Sequence, residues 1–329
     1  MKKITKMLLA SFLCLSLAAC SKSDETASSD LKDVTLILDY VPNTNHTGLY
    51  VALQKGYYEE AGLNVEIIEP GNDQTSATLV AANKGEFGIS YQEDVTYALT
   101  SEDPLPIKAI ATIIQHNTSG FVTAKSKNIT SPAQFNNKVF SVWPSPSADA
   151  VMKAVMSAAK ADYSTLQTVN DEDGGFQSLE NNIDIKWFFQ GWDCIKAEMA
   201  GFELNYIALS DFDERLDYYT PVIIANDSII EQDPQTVEKF MSATKKGYEF
   251  AIENPDESAE ILHQYAPDYE LEFLKKSQAF LSEQYSKDSD VWGLMKDSVW
   301  DNYTDFMFEN GLIDEKIPAS AQYTNEFIK

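Results

Sequence analysis

The densest run of chemistry in the sequence is Asp39-Tyr40-Val41-Pro42-Asn43-Thr44-Asn45-His46, between an apolar run, Val34 to Leu38, and a helical pattern beginning near Thr47. A carboxylate, a phenol, two amides and an imidazole are thus crowded into the loop at a strand's carboxyl end. That is where open α/β sheets bind ligands. Three more loops carry similar chemistry: Tyr91-Gln92-Glu93 after Phe87 to Ser90, Trp143 and Ser145 after Val139 to Val142, and Trp187, Trp192 and Asp193 around the end of Ile183 to Phe188. The prolines of Trp143-Pro144-Ser145-Pro146-Ser147 remove two amide donors, which leaves the serine hydroxyls to replace them. Each position has a plainer reading as well. His46 could cap the following helix, Tyr91 and Gln92 could be packed, and Trp187 and Trp192 could be core residues.

Several chemistries are excluded. Lys plus Arg number 25 against 51 Asp plus Glu, a formal charge of −26. Nucleic-acid binding, which relies on cations displacing counterions from phosphates, is not expected. Arg215 is the single arginine, so a guanidinium clamp for nitrate, sulfonate or another strong anion is unfavourable. His116 and His263 lack partners at metal-ligand spacing, and the cysteines Cys14, Cys20 and Cys194 form no cluster. Asp171-Glu172-Asp173-Gly174-Gly175 is too short for a calcium loop and reads as a solvated turn. No metal and no cofactor are expected.

The amino terminus carries Lys2, Lys3 and Lys6 and then an apolar stretch from Met7 to Ala19, too short to span a bilayer. It closes on Leu17-Ala18-Ala19-Cys20, which resembles the lipobox of bacterial lipoproteins. That resemblance implies a signal peptide over residues 1–19 and lipidation at Cys20. Residues 20–32 would form a polar tether holding the protein to the outer face of the cell membrane.

From Val34 to Ala225 short β-rich runs alternate with helical stretches, and after Asn226 the pattern is almost entirely helical. Expected strands are 34–38, 65–68, 87–90, 107–114, 139–142, 183–188, 205–209 and 222–225. Expected late helices are 234–253, 258–264, 271–283 and 291–310, with Asp256 and Asp290 as caps. The pattern implies an α/β protein with mixed sheets and a helical carboxyl-terminal block. The chain would cross between two lobes near 121–125 and 220–225, giving one lobe from 33–121 plus 225–329 and another from 122–224. The cleft between them is the natural ligand site. Trp292 and Trp300, in the helical block, are expected in the core.

The loop Leu38 to Tyr50 resembles the thiamine-biosynthesis branch of the NMT1/THI5-like family. The resemblance continues through Val51-Ala52-Leu53-Gln54-Lys55-Gly56-Tyr57-Tyr58-Glu59-Glu60-Ala61-Gly62-Leu63, Phe87 to Glu93 and Tyr219-Thr220-Pro221-Val222. It implies a two-lobed, type II periplasmic-binding-protein fold, and a monomeric receptor that delivers a small heteroaromatic ligand to an ABC permease and its ATPase. The ligand implied is a thiamine-precursor aminopyrimidine, hydroxymethylpyrimidine or its formylaminomethyl analogue. Tyr40 stands where this branch usually has tryptophan. Asp193 takes the place of the acidic residue of the family's W-[ED]-G-like turn, with Cys194 after it. Tyr40, Trp143, Trp187 and Trp192 would then stack the ring, and Asp39, Asn43, Asn45, His46, Gln92, Glu93 and Asp193 would read its nitrogens and exocyclic amine. Two other readings remain: the same receptor with riboflavin or another flat ligand, and a THI5-like pyrimidine synthase sharing His46 but with a cysteine cluster that this chain lacks.

Overall fold

The computed structural model describes residues 31–71, 74–142, 145–170 and 175–329. The expected signal, Cys20 with most of the tether, Trp143 and the segment 171–174 therefore lie outside the described residues. The strands are β1 (Lys32–Ile37), β2 (Leu63–Ile68), β3 (Phe87–Ser90), β4 (Ile107–Thr112), β5 (Ser119–Ala124), β6 (Val139–Val142), β7 (Gln167–Asn170), β8 (Lys186–Phe189), β9 (Leu204–Ala208) and β10 (Val222–Asn226).

The first sheet has the order β2-β1-β3-β10-β4. β1 runs parallel to β2 and β3, whereas β10 is antiparallel to both of its neighbours. Parallel neighbours need crossovers, and the helices Thr47–Gln54, Tyr57–Glu60 and Ser76–Ala81 supply them. A continuous helix is expected over 48–60. It is broken instead at Gly56, whose φ of +75° suits a residue without Cβ.

The second sheet is antiparallel, in the order β8-β5-β9, beside a parallel pair, β6-β7. A bridge between Phe140 and Ile185 ties β6 to the segment entering β8. β5 and β7 differ from the sequence expectation. β5 is central and buried along its whole length, so Ser119-Gly-Phe-Val-Thr-Ala shows no alternation for periodicity to detect. The chain has already entered the second sheet at Ser119, before the expected crossing at 121–125. β7 is a short polar edge strand.

In the carboxyl-terminal block, Pro234–Glu253 forms as expected and is capped by Asp233. The next helices run over Pro255–His263, Leu271–Gln284 and Asp297–Glu309. Asp256 lies in a first turn after Asn254, and Asp290 precedes irregular chain, so neither is a cap. Gly247 and Gly48 let two helices touch: a Cβ at Gly247 would lie 2.0 Å from the Gly48 carbonyl oxygen.

Trp292 and Trp300 are buried, as expected. One helix, Asp297–Glu309, serves two cores. Its Trp300 packs with Val222 and Ile224 of the first sheet, while Tyr303, Phe306 and Met307 pack with Phe121, Phe140 and Trp187 of the second.

Candidate functional site

A cavity of about 1000 Å³ opens where the carboxyl ends of strands from both sheets converge. Asp39 and Tyr40 reach it from the end of β1, Tyr91, Glu93 and Asp94 from the end of β3, and Ser145 and Ser147 from the end of β6. β8 and the turn after it contribute Trp187, Phe188, Phe189, Trp192, Asp193 and Lys196.

The first loop is built on its own hydrogen bonds. The Asn43 side chain accepts from Asn45 N–H at 2.9 Å, and Asn43 N–H donates to His46 Nδ1 at 3.3 Å, which closes a capping box. With Nδ1 accepting, the ring proton sits on Nε2, 2.7 Å from Asp39 Oδ1. Tyr91 donates its hydroxyl to Asp39 Oδ2 at 2.7 Å. Burial pushes the Asp39 carboxyl up, but the adjacent His46 and the Tyr91 hydroxyl outweigh it and leave Asp39 below the usual carboxylate range.

Glu93 links several elements. Ser147 Oγ donates to it at 2.8 Å, and the Tyr303 hydroxyl at 2.7 Å. Burial nevertheless raises its pKa. Asp94 makes no hydrogen bond or ion pair among the described residues. Burial, with Glu93 and Asp39 nearby, raises it to about 6. Its carboxylate lines the cavity and remains available to a ligand.

On the opposite wall, Gln190–Cys194 form a π-helical turn leading into the helix Ile195–Met199. Such wide turns re-aim side chains and are frequent at functional sites. Asp193 Oδ2 accepts from Phe189 N–H at 3.0 Å, and burial raises this carboxyl too. Burial pushes the Cys194 thiol up to about 12, which leaves it unreactive. Trp192 packs edge-on against Tyr269 and Phe273, at centroid distances of 5.0 and 4.6 Å.

Of the residues expected at the site, Asp39, Tyr40, Asn43, Asn45, Tyr91, Glu93, Ser145, Trp187, Trp192 and Asp193 line the cavity. His46 and Gln92 do not. Both are fully buried: His46 lies behind Asp39, and Gln92 accepts from Tyr219 N–H at 2.9 Å while donating to the Val299 carbonyl at 3.1 Å. Gln92 thus fixes the segment leading into β10 and lies off the cavity wall. Trp187 is largely core, edge-on to Phe121 and 5% exposed, whereas Tyr40 is 63% exposed at the rim.

Sequence reasoning missed Asp94, Phe176, Tyr218, Tyr269 and Lys196 on the cavity wall. An acidic residue in a helix's first turn is unremarkable by type, so Asp94 gave no signal. Lys196 had one, standing four residues after Trp192, where a helix brings side chains together.

Arg215 lies elsewhere, bonded to Asp213 and Glu309. His116 sits between Asp217 at 2.6 Å and Asp288 at 3.2 Å. Among the described residues no group of three His, Cys, Asp or Glu side chains could hold a metal ion.

A family model described as NMT1/THI5 like matches residues 43–258, more than half of the chain. The chain is 25% identical over 334 residues to the formylaminopyrimidine-binding protein of Halalkalibacterium halodurans, with 98% of each protein covered. It is 22% identical over 354 residues to the riboflavin-binding protein RibY of Chloroflexus aurantiacus, covering 100% of this chain and 99% of the relative. It is also 24% identical over 319 residues to the 4-amino-5-hydroxymethyl-2-methylpyrimidine phosphate synthase of Legionella pneumophila, covering 92% and 94%. The ligand-binding component of an ABC-type import system from Staphylococcus aureus superposes with a TM-score of 0.67 at 13% identity, over 90% of this chain and 97% of the other. That likeness establishes the two-lobed periplasmic-binding-protein fold.

Proposed function

Because the chain belongs to the NMT1/THI5-like family, we propose that it is the solute-binding component of an ABC importer and captures a thiamine-precursor aminopyrimidine, hydroxymethylpyrimidine or its formylaminomethyl analogue. The observation that carries this reading is the wall formed by Asp39, Glu93 and Asp94, in which Asp94 has no partner among the described residues and faces the cavity. A ring with an exocyclic amine supplies the donors that such a wall lacks. Tyr40, Tyr91, Tyr218 and Trp192 supply apolar and aromatic surface around it. A micromolar dissociation constant corresponds to about −8.2 kcal/mol. Stacked faces at about 1–3 kcal/mol each, with a few satisfied polar contacts, reach that value after ordering costs.

The receptor operates by closure, with no bond made or broken. Sheet membership supports two lobes, with the crossings just before Ser119 and just before Val222. Closing them would trap the ligand and present a joint surface to a permease, whose ATPase drives transport. The amino-terminal motif supports an exported lipoprotein, attached through Cys20 to the outer face of the cell membrane and working as a monomer. No helix among the described residues is long and apolar enough to cross a membrane.

A second cargo, riboflavin, is favoured by one observation. The cavity lies at the upper end of the roughly 300–1,000 Å³ of small-molecule sites and exceeds what one six-membered ring fills. A synthase reading fits less well, since His46, the residue it would share, is sealed beneath Asp39. Calorimetry of the soluble chain from Ser21 against hydroxymethylpyrimidine, its formylaminomethyl analogue and riboflavin tests these readings. Micromolar or tighter binding of a pyrimidine is expected. Binding of riboflavin alone would replace the cargo and leave the receptor role standing.

A further inference from the structure

The cavity has a second charge that no hydrogen bond or ion pair satisfies among the described residues, of opposite sign to the first. Lys196 lines it, with its ammonium 4.6 Å from the Trp192 ring, 5.1 Å from Tyr269 and 5.3 Å from Phe273. Ring faces attract a cation but offer no lone pair in the plane of a normal hydrogen bond. No hydrogen bond or ion pair joins Lys196 to any described residue. The Asp193 carboxylate attracts it electrostatically but forms no ion pair or hydrogen bond with it, and one of its oxygens accepts from the Phe189 amide. The side chain is half-buried, so the ammonium is partly stripped of water with its donors unused.

Lys196 belongs to the wall after β8, and Asp94 to the wall after β3. The site therefore has two poles, a carboxylate wall that takes donors and a lysine that takes an acceptor. We propose that Lys196 is a specificity residue: it selects ligands whose ring substituent ends in a neutral or anionic acceptor, such as a formamide carbonyl, and rejects those ending in an ammonium group. The proposal rests on the aminopyrimidine reading above, and it assigns the ring's amine edge to Asp94 and the substituent to Lys196.

Two probes differ only at the substituent: 5-formylaminomethyl- and 5-aminomethyl-4-amino-2-methylpyrimidine. The first ends in a carbonyl, and the second carries an ammonium at neutral pH. We expect the wild-type protein to prefer the formyl compound at least tenfold by calorimetry. Lys196→Gln should reduce that preference at least fivefold, by weakening the formyl compound and strengthening the aminomethyl one. Lys196→Arg, which keeps the charge over the rings, should retain the preference. Asp94→Asn should weaken both probes and leave their ratio within about twofold. Thermal unfolding of each variant separates loss of binding from loss of fold.

An unchanged preference in Lys196→Gln would overturn the role of Lys196 while leaving a pyrimidine receptor in place. A wild-type protein that binds both probes equally would do the same. If neither probe binds the wild-type protein, the aminopyrimidine reading falls, and this assignment falls with it.

Discussion

Asp94 is the residue in which burial and the proposed ligand role conflict most openly. Its carboxyl titrates near 6 in the folded protein against an ordinary value of 3.8, chiefly through burial. The folded state thus holds this proton more tightly than the unfolded chain, so the Asp94 contribution to stability falls as pH rises from about 4 to 6. Asp94→Asn should raise the melting temperature of the ligand-free protein at pH 7, change it little at pH 4, and weaken pyrimidine binding at least tenfold. A melting temperature that shifts equally at both pH values would show that the buried charge is not the cause. Tyr40 and Asp193 separate in a related way. Tyr40 is mostly exposed, and Tyr40→Ala should weaken binding at least tenfold without changing the melting temperature. Asp193 also accepts from the Phe189 amide, so Asp193→Ala should in addition cost about 1 kcal/mol, roughly 2–4 °C. A melting curve that matched the wild type would deny that turn its structural role.

Among the elements, legibility followed surface pattern. β3 and β6 were readable to the residue, because turn residues bound short apolar runs. β5 was not, since a central strand buried on both faces carries no alternation, and Gly120 inside it reads as a breaker. The candidate-site loop after β1 was legible because its polar residues are crowded. Within it, only the structure separates Asp39, which faces the cavity, from His46, which holds Asp39 from behind. Sequence cannot show depth. The loop's position depends in turn on the helix Thr47–Gln54 packing against Pro234–Glu253. Gly247→Ala would gain about 1 kcal/mol in helix propensity, but it sets a methyl against backbone at 2.0 Å, and overpacking costs about 1–3 kcal/mol. The clash should win. We expect a lower melting temperature and weaker ligand binding, and a variant as stable as the wild type would show that these helices slide apart freely.

At the scale of the whole molecule, two sheets would ordinarily allow two unfolding steps. The helix Asp297–Glu309 opposes this, because it places Trp300 in one core and Tyr303, Phe306 and Met307 in the other. Calorimetry should give a single transition with equal calorimetric and van't Hoff enthalpies. Two resolved transitions would contradict the coupling.

The same helix also sets an order of events in the life of the chain. Synthesis runs from the amino terminus, and domains generally fold in that direction as they emerge. Here the second sheet is complete by Ala208, yet the aromatic residues that finish its core arrive only with Tyr303 to Met307. A nascent chain shorter than about three hundred residues therefore carries an unfinished interior, open to chaperones and proteases. A truncated chain ending at Lys296 should be digested rapidly by a protease that the full chain resists; equal resistance would mean the second sheet closes its core unaided. For the exported lipoprotein proposed above, this late-arriving helix would keep the second core open while the chain is threaded across a membrane.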